Sequence, residues 1–178
     1  MALTATIYNF DVDLSDSDRN VYETVALRVA QHPSESDEYL IARVLGYLLE
    51  FTEGIEFSRG VSDPEEPIIS VRDLTGKIAT WIEIGTPDAA RLHKASKTGA
   101  RVAVYCHKEG AQWLKGLAAA GIHRAEALEL YAIDRALIAQ LVARLDRRMA
   151  FGVSINDREL YVSIGDVNLT GRVERLTI

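Results

Sequence analysis

Three side chains lie at spacings that could do chemistry: a carboxylate within a strand and two cations on the helix that follows. Glu83 stands inside Trp81-Ile82-Glu83-Ile84-Gly85, and Arg91 and Lys94 come one turn apart after Thr86-Pro87-Asp88. Strand residues alternate faces, so Glu83 shares a side with Trp81 while Ile82 and Ile84 occupy the other. Burying an ionised carboxylate among such neighbours costs several kcal/mol unless a metal, a cation or hydrogen-bond donors compensate it. Glu38 on a preceding helix and Asp73 in a hairpin add two more carboxylates. Two or three carboxylates with water make a hard-ion site suited to Mg²⁺ or Mn²⁺. A lysine beside such an ion stabilises developing phosphoryl charge, which is the logic of metal-assisted phosphodiester hydrolysis.

The elements that must position these groups follow from pattern. Residues 3–13 alternate as a strand, and Asp16-Ser17-Asp18 offer caps for a helix running to about His32, with Val21, Val25, Leu27 and Val29 as its stripe. Ser34 with Asp37 has capping-box spacing and opens a helix over 35–51, where Ile41, Val44, Leu45 and Leu48 face inward. Stepping back one turn from Ile41 reaches Glu38, which either extends the inward stripe or complements the helix dipole. Residues 52–67 read as a connection, long enough that Phe57-Ser58-Arg59-Gly60 could border a site. Residues 68–72 and 77–84 form a hairpin around Asp73-Leu74-Thr75-Gly76. Thr86 caps the next helix, Gly99 ends it, and residues 101–106 supply a parallel strand. A helix over 110–120, a strand over 127–133 and a helix capped by Asp134 come next; the tail from Met149 reads as antiparallel hairpins pairing with the amino-terminal strand.

Composition narrows the function classes. The chain has 178 residues, 48% of them hydrophobic, which suits one α+β domain over residues 1–178. One cysteine, Cys106, allows neither an intramolecular disulfide nor a cysteine zinc cage. No signal peptide or membrane-length apolar run is present, so the expectation is a cytoplasmic protein without membrane partners. A net charge of −6 argues against coating nucleic acid by charge alone. The charge is uneven, however: residues 34–66 are predominantly acidic and residues 72–115 predominantly basic. Phosphate-loop, dinucleotide, zincin and nucleophile-elbow motifs are missing, and the four histidines lack zinc-site spacing.

The order of elements is itself informative. A glutamate-bearing helix, a hairpin ending in Glu-x-Gly, a helix and a parallel strand resemble the core of the PD-(D/E)XK nucleases. Asp18-Arg19-Asn20, His32-Pro33-Ser34-Glu35, Phe57 to Gly60, Glu66-Pro67, and Trp81 to Gly85 followed by Pro87-Asp88 resemble the bacterial YaeQ family over essentially the whole chain. The resemblance implies a nuclease-like mixed sheet flanked by helices. By position it makes Glu38 the helix carboxylate, Asp73 the hairpin aspartate and Glu83 the strand carboxylate, with Ser34, Arg59, Trp81 and Arg91 around them. Gly85 stands where that pattern places lysine, so Lys94, or Arg91, would supply the cation from the next helix. Two readings follow. One is a Mg²⁺- or Mn²⁺-dependent nuclease acting on nucleic acid, in which the resemblance makes Asp73 and Glu83 the metal ligands, with Glu38 assisting and Lys94 as the cation. The other is a non-catalytic binding or regulatory protein in which Glu83 is ion-paired to Arg91 or Lys94.

Overall fold

A computed structural model describes residues 4–58, 63 and 65–178. In chain order its elements are β1 (Thr6–Asp16), β2 (Val21–Gln31), α1 (Asp37–Leu49), β3 (Ile55–Phe57), β4 (Ile69–Arg72), β5 (Ile78–Ile84), α2 (Ala89–Lys97) and β6 (Arg101–Cys106). There follow α3 (Ala111–Ala119), a single 3₁₀ turn at Ala125–Ala127, β7 (Glu129–Ile133), α4 (Arg135–Val142), β8 (Arg148–Asn156), β9 (Glu159–Ile164) and β10 (Val167–Leu176). The fold is mixed α+β, with parallel and antiparallel strand pairs. The chain forms two compact units, one from residues up to 41 with 133–174, the other from 42–132 with 175–178; the division falls within α1.

In the first unit the strand order is β2-β1-β8-β9-β10. β1 and β2 form a long antiparallel hairpin, so the helix expected over residues 16–32 is corrected to a strand. The apolar residues there follow a period of two: Val25, Leu27, Val29 and Gln31 are buried and the residues between them exposed. The presumed cap residues make the turn instead. Asp16 accepts from the Arg19 amide at 3.1 Å, and Asn20 takes φ 59°, a left-handed conformation that asparagine tolerates better than most residues. Asp18 reaches a second hairpin, accepting from the amides of Asp157 (2.7 Å) and Arg158 (2.9 Å), both at positive φ. The tail forms antiparallel hairpins, β8 with β9 and β9 with β10, and pairs with the amino-terminal strand as expected, but in that last pairing β8 lies parallel to β1. α4 packs over Gly171, where an added Cβ would stand 2.7 Å from the Leu137 Cβ.

In the second unit the order is β7-β6-β5-β4-β3, parallel from β5 to β7 and antiparallel from β3 to β5. β5 and β6 are buried on both faces, as expected for parallel strands covered by helices. Leu92 and Ala95 of α2 and Leu117 of α3 pack with Trp81, Val102 and Val104 on one face. α1 covers the other, where Gly46 lets the helix approach Ile84, Tyr105 and Ile69. The 52–67 connection contains β3, a strand too short for sequence periodicity to reveal.

α1 is capped by Ser36, whose Oγ accepts from the Tyr39 amide at 3.1 Å; Ser34 instead lies 2.6 Å from His32 Nδ1. α2 is capped by Asp88, not Thr86: the aspartate accepts from the Arg91 amide at 2.8 Å. Asp134 caps α4 as its position predicts.

Candidate functional site

Glu83 is 2% exposed and lies on β5 under α2. The alternation that puts it beside Trp81 also brings the indole within reach: Trp81 Nε1 donates to Glu83 Oε1 at 2.7 Å. Arg91, one turn into α2, donates its Nε to the same oxygen at 2.7 Å. The Arg91 guanidinium continues outward to the backbone carbonyls of Glu66 (2.8 Å) and Asp63 (3.3 Å). One arginine therefore neutralises the buried carboxylate and holds the segment leading into β4. Burial pushes the Glu83 carboxyl above its ordinary value, and the Arg91 charge with the Trp81 and Arg91 hydrogen bonds pull against that rise.

The other expected site residues do not join Glu83. Asp73 is exposed in the β4–β5 turn, accepting from the Thr75 amide (2.8 Å), the Thr75 hydroxyl (2.5 Å) and the Lys77 amide (3.1 Å). The Thr75 hydroxyl bond, helped by these amides, holds its carboxyl below the usual range. Glu83 lies six residues along the chain from Lys77, or roughly 20 Å at the rise of a strand, so the two expected metal ligands occupy opposite ends of one hairpin. Lys94 is exposed and pairs with Glu65 on the surface. Glu38 is an exposed first-turn residue of α1, matching the dipole alternative rather than the inward one, and it belongs to the first unit. Ser34 belongs to that unit also, and Arg59 lies outside the described residues. Of the set, the structure brings together Trp81, Glu83 and Arg91. The residues present do not fit a shared Mg²⁺ or Mn²⁺ site: no group of three His, Cys, Asp or Glu side chains among the described residues could hold an ion.

Gly85 explains why no lysine follows Glu83 in the strand. Its φ is +95°, a region that L side chains rarely adopt, and a Cβ there would meet His107 Cε1 at an unremarkable 3.6 Å. Backbone conformation, not space, selects glycine. Gly85→Lys should lower stability by about 1–2 kcal/mol through this strain. An unchanged denaturant midpoint would show that the backbone relaxes instead.

A second cluster was not singled out from the sequence. Arg101 at the start of β6 donates to Glu50 at 2.6 and 3.1 Å and to Glu129 at 2.5 and 2.8 Å, while the buried Tyr105 hydroxyl donates to Glu50 at 2.5 Å. Tyr105 and Tyr131 stack at 5.0 Å, and Arg175 lies over Tyr131. Its trace was present in the strand period: Arg101 and Tyr105 share one face of β6, Glu129 and Tyr131 one face of β7. Glu50, at the far end of α1, carried no local sign of belonging to it.

Fold and site together define a mixed α+β protein with a buried carboxylate clamped between an indole and a helix arginine. The chain belongs to the YaeQ family: the family model described as YaeQ protein matches residues 1–173. Uncharacterized protein YaeQ of Escherichia coli strain K12 is 33% identical over 171 residues, covering 95% of this chain and 94% of that protein. The Salmonella typhi protein of the same name is 34% identical over 171 residues with the same coverage. Among solved structures, the YaeQ protein from Xanthomonas axonopodis pv. citri superposes with a TM-score of 0.89 at 33% identity, covering 98% of this chain and 99% of that one. The Pseudomonas syringae protein gives 0.88 at 28% identity, covering 98% and 97%. No helix among the described residues is long and apolar enough to cross a membrane.

Proposed function

We propose that this chain is a non-catalytic binding or regulatory protein that keeps a nuclease-like framework, a variant of the PD-(D/E)XK architecture. The order α1, β4–β5 hairpin, α2 and parallel β6 supports the framework. One observation carries the loss of catalysis: Glu83 is already compensated by protein donors, one of its oxygens accepting both Arg91 Nε and Trp81 Nε1 at 2.7 Å, so its charge is matched by an arginine rather than by an ion. Its carboxylate then holds α2 to β5 and, through Arg91, holds the segment before β4. The separation of Asp73 from Glu83 and the pairing of Lys94 with Glu65 support the same reading.

Isothermal titration with Mn²⁺ tests it against the nuclease reading. Neither the wild-type protein nor Glu83→Ala should produce heat above buffer. Saturable binding by the wild type that disappears in Glu83→Ala would overturn the proposal and restore Glu83 as a ligand. Fluorescent single- and double-stranded DNA and RNA should likewise remain intact in Mn²⁺.

A further inference from the structure

The two sheet ends named by the strand orders are built differently. β3, at one end, is three residues long and lies in an acidic stretch with Glu53 and Glu56. That is how an edge is ordinarily kept from pairing. β2, at the end of the first unit's sheet, has eleven residues, contains no proline, glycine or lysine, and pairs along its whole length with β1 alone among the strands. It alternates cleanly, with Val25, Leu27 and Val29 toward the core and Thr24, Ala26 and Arg28 toward solvent. Such an edge is a template for another strand.

We propose that two copies of this chain pair edge to edge through β2, antiparallel about a two-fold axis at Ala26. This goes beyond the reading of the Glu83 site and is independent of it. A two-fold interface must be self-complementary, since whatever residue i meets as j must also meet i. β2 satisfies that condition. With both core faces on one side, Ala26 meets Ala26 of the second copy, Val25 meets Leu27, and Thr24 meets Arg28. No like charges fall opposite one another.

Charge complementarity fixes this register. Arg28 forms no ion pair among the described residues, and its neighbour on β1 is the neutral Asn9. Thr24 is opposite Asp13 on β1, and its Oγ1 donates to Asp13 Oδ1 at 3.2 Å. In the paired sheet, Arg28 of one copy lies two strand spacings, about 10 Å, from Asp13 of the other, across the small Thr24. A guanidinium on an extended side chain spans that gap. Symmetry makes the contact twice, one Asp13–Arg28 pair on either side of the axis.

Light scattering after size exclusion, run over a dilution series, reads the association, and hydrogen exchange of the β2 amides reads the surface. The expected result is a species of twice the 19.7 kDa chain mass that dissociates on dilution, with β2 amides slowing as the dimer fills. Arg28→Glu places a carboxylate against Asp13 and should weaken the dimer by roughly tenfold or more. Both positions are exposed, so the fold survives the change. Asp13→Lys combined with Arg28→Glu restores the pair with reversed sign and should recover most of the loss. A 19.7 kDa species at every concentration overturns the proposal and leaves the edge to an extended segment of another protein. A dimer whose β2 amides exchange as fast as in the monomer overturns it too, because the copies then meet elsewhere.

Discussion

Arg91→Ala is expected to destabilise the protein by about 3 kcal/mol at neutral pH, the scale for removing one partner of a buried ion pair. Glu83, 2% exposed with Arg91 in place, would keep only Trp81 as a donor among the described residues, and the Glu66 and Asp63 carbonyls would lose the guanidinium. The pH dependence has a definite sign. Burial raises the folded-state value of Glu83, so its titration contributes stability below the ordinary value near 4.5, and that contribution is lost as pH rises through the folded value. Removing Arg91 removes one of the influences that hold this rise in check. The deficit of Arg91→Ala relative to wild type should therefore be widest near neutrality and narrow as acid protonates Glu83. Adding Glu83→Leu should recover most of the loss, because no buried charge then remains unpaired. Urea denaturation of the four proteins of this cycle, at neutral and acid pH, measures it. A neutral-pH loss below about 0.5 kcal/mol would sink the structural role assigned to Glu83.

Arg101→Ala carries the second largest expected effect, a loss of about 2 kcal/mol. Glu50 is 8% exposed and, among the described residues, would keep the Tyr105 hydroxyl as its donor, while Glu129 would lose both Arg101 bonds and keep the Tyr131 hydroxyl and the longer 3.9 Å pairing with Arg175. The figure is set below that for Arg91 because the Arg101 side chain is 41% exposed and water can replace part of what it supplies. Hydrogen bonding to Glu50 is the largest influence holding the guanidinium in its charged form, against the opposing effect of burial. At Glu129 burial acts upward, but the Arg101 and Tyr131 bonds outweigh it and the carboxyl sits below its ordinary value. Its stabilisation is present above that ordinary value and fades as pH falls, so the cost of Arg101→Ala also shrinks in acid. Arg101→Lys should recover less than half of the stability, since one ammonium cannot match the two-carboxylate fork. A denaturation midpoint for Arg101→Ala equal to that of wild type would show that the cluster only decorates the strand ends.

By itself the sequence determined what depends on neighbours along the chain. Strand alternation put Trp81 and Glu83 on one face, glycine and aspartate spacing placed the β4–β5 hairpin, and the Asp134 signal opened α4 at the right residue. The same local rules failed where two periods competed. Val21, Val25 and Val29 can be read at a spacing near that of a helix, and only pairing with β1 decides that the segment is a strand. The Glu83 carboxylate was legible as a group in need of a partner, because its burial cost follows from its own face of the strand. Which cation would meet it was not legible. Arg91 and Lys94 lie one turn apart on the same helix, and spacing alone does not choose between them; α2 turns Arg91 inward to Glu83 and leaves Lys94 to Glu65, a choice made by helix orientation. Asp73 shows the converse error, being adjacent to the strand pair in sequence yet at its far end in space. Gly85 was visible as a missing lysine, but only the backbone angle of +95° supplied the reason, since φ at one residue is set by how the strand leaves the sheet.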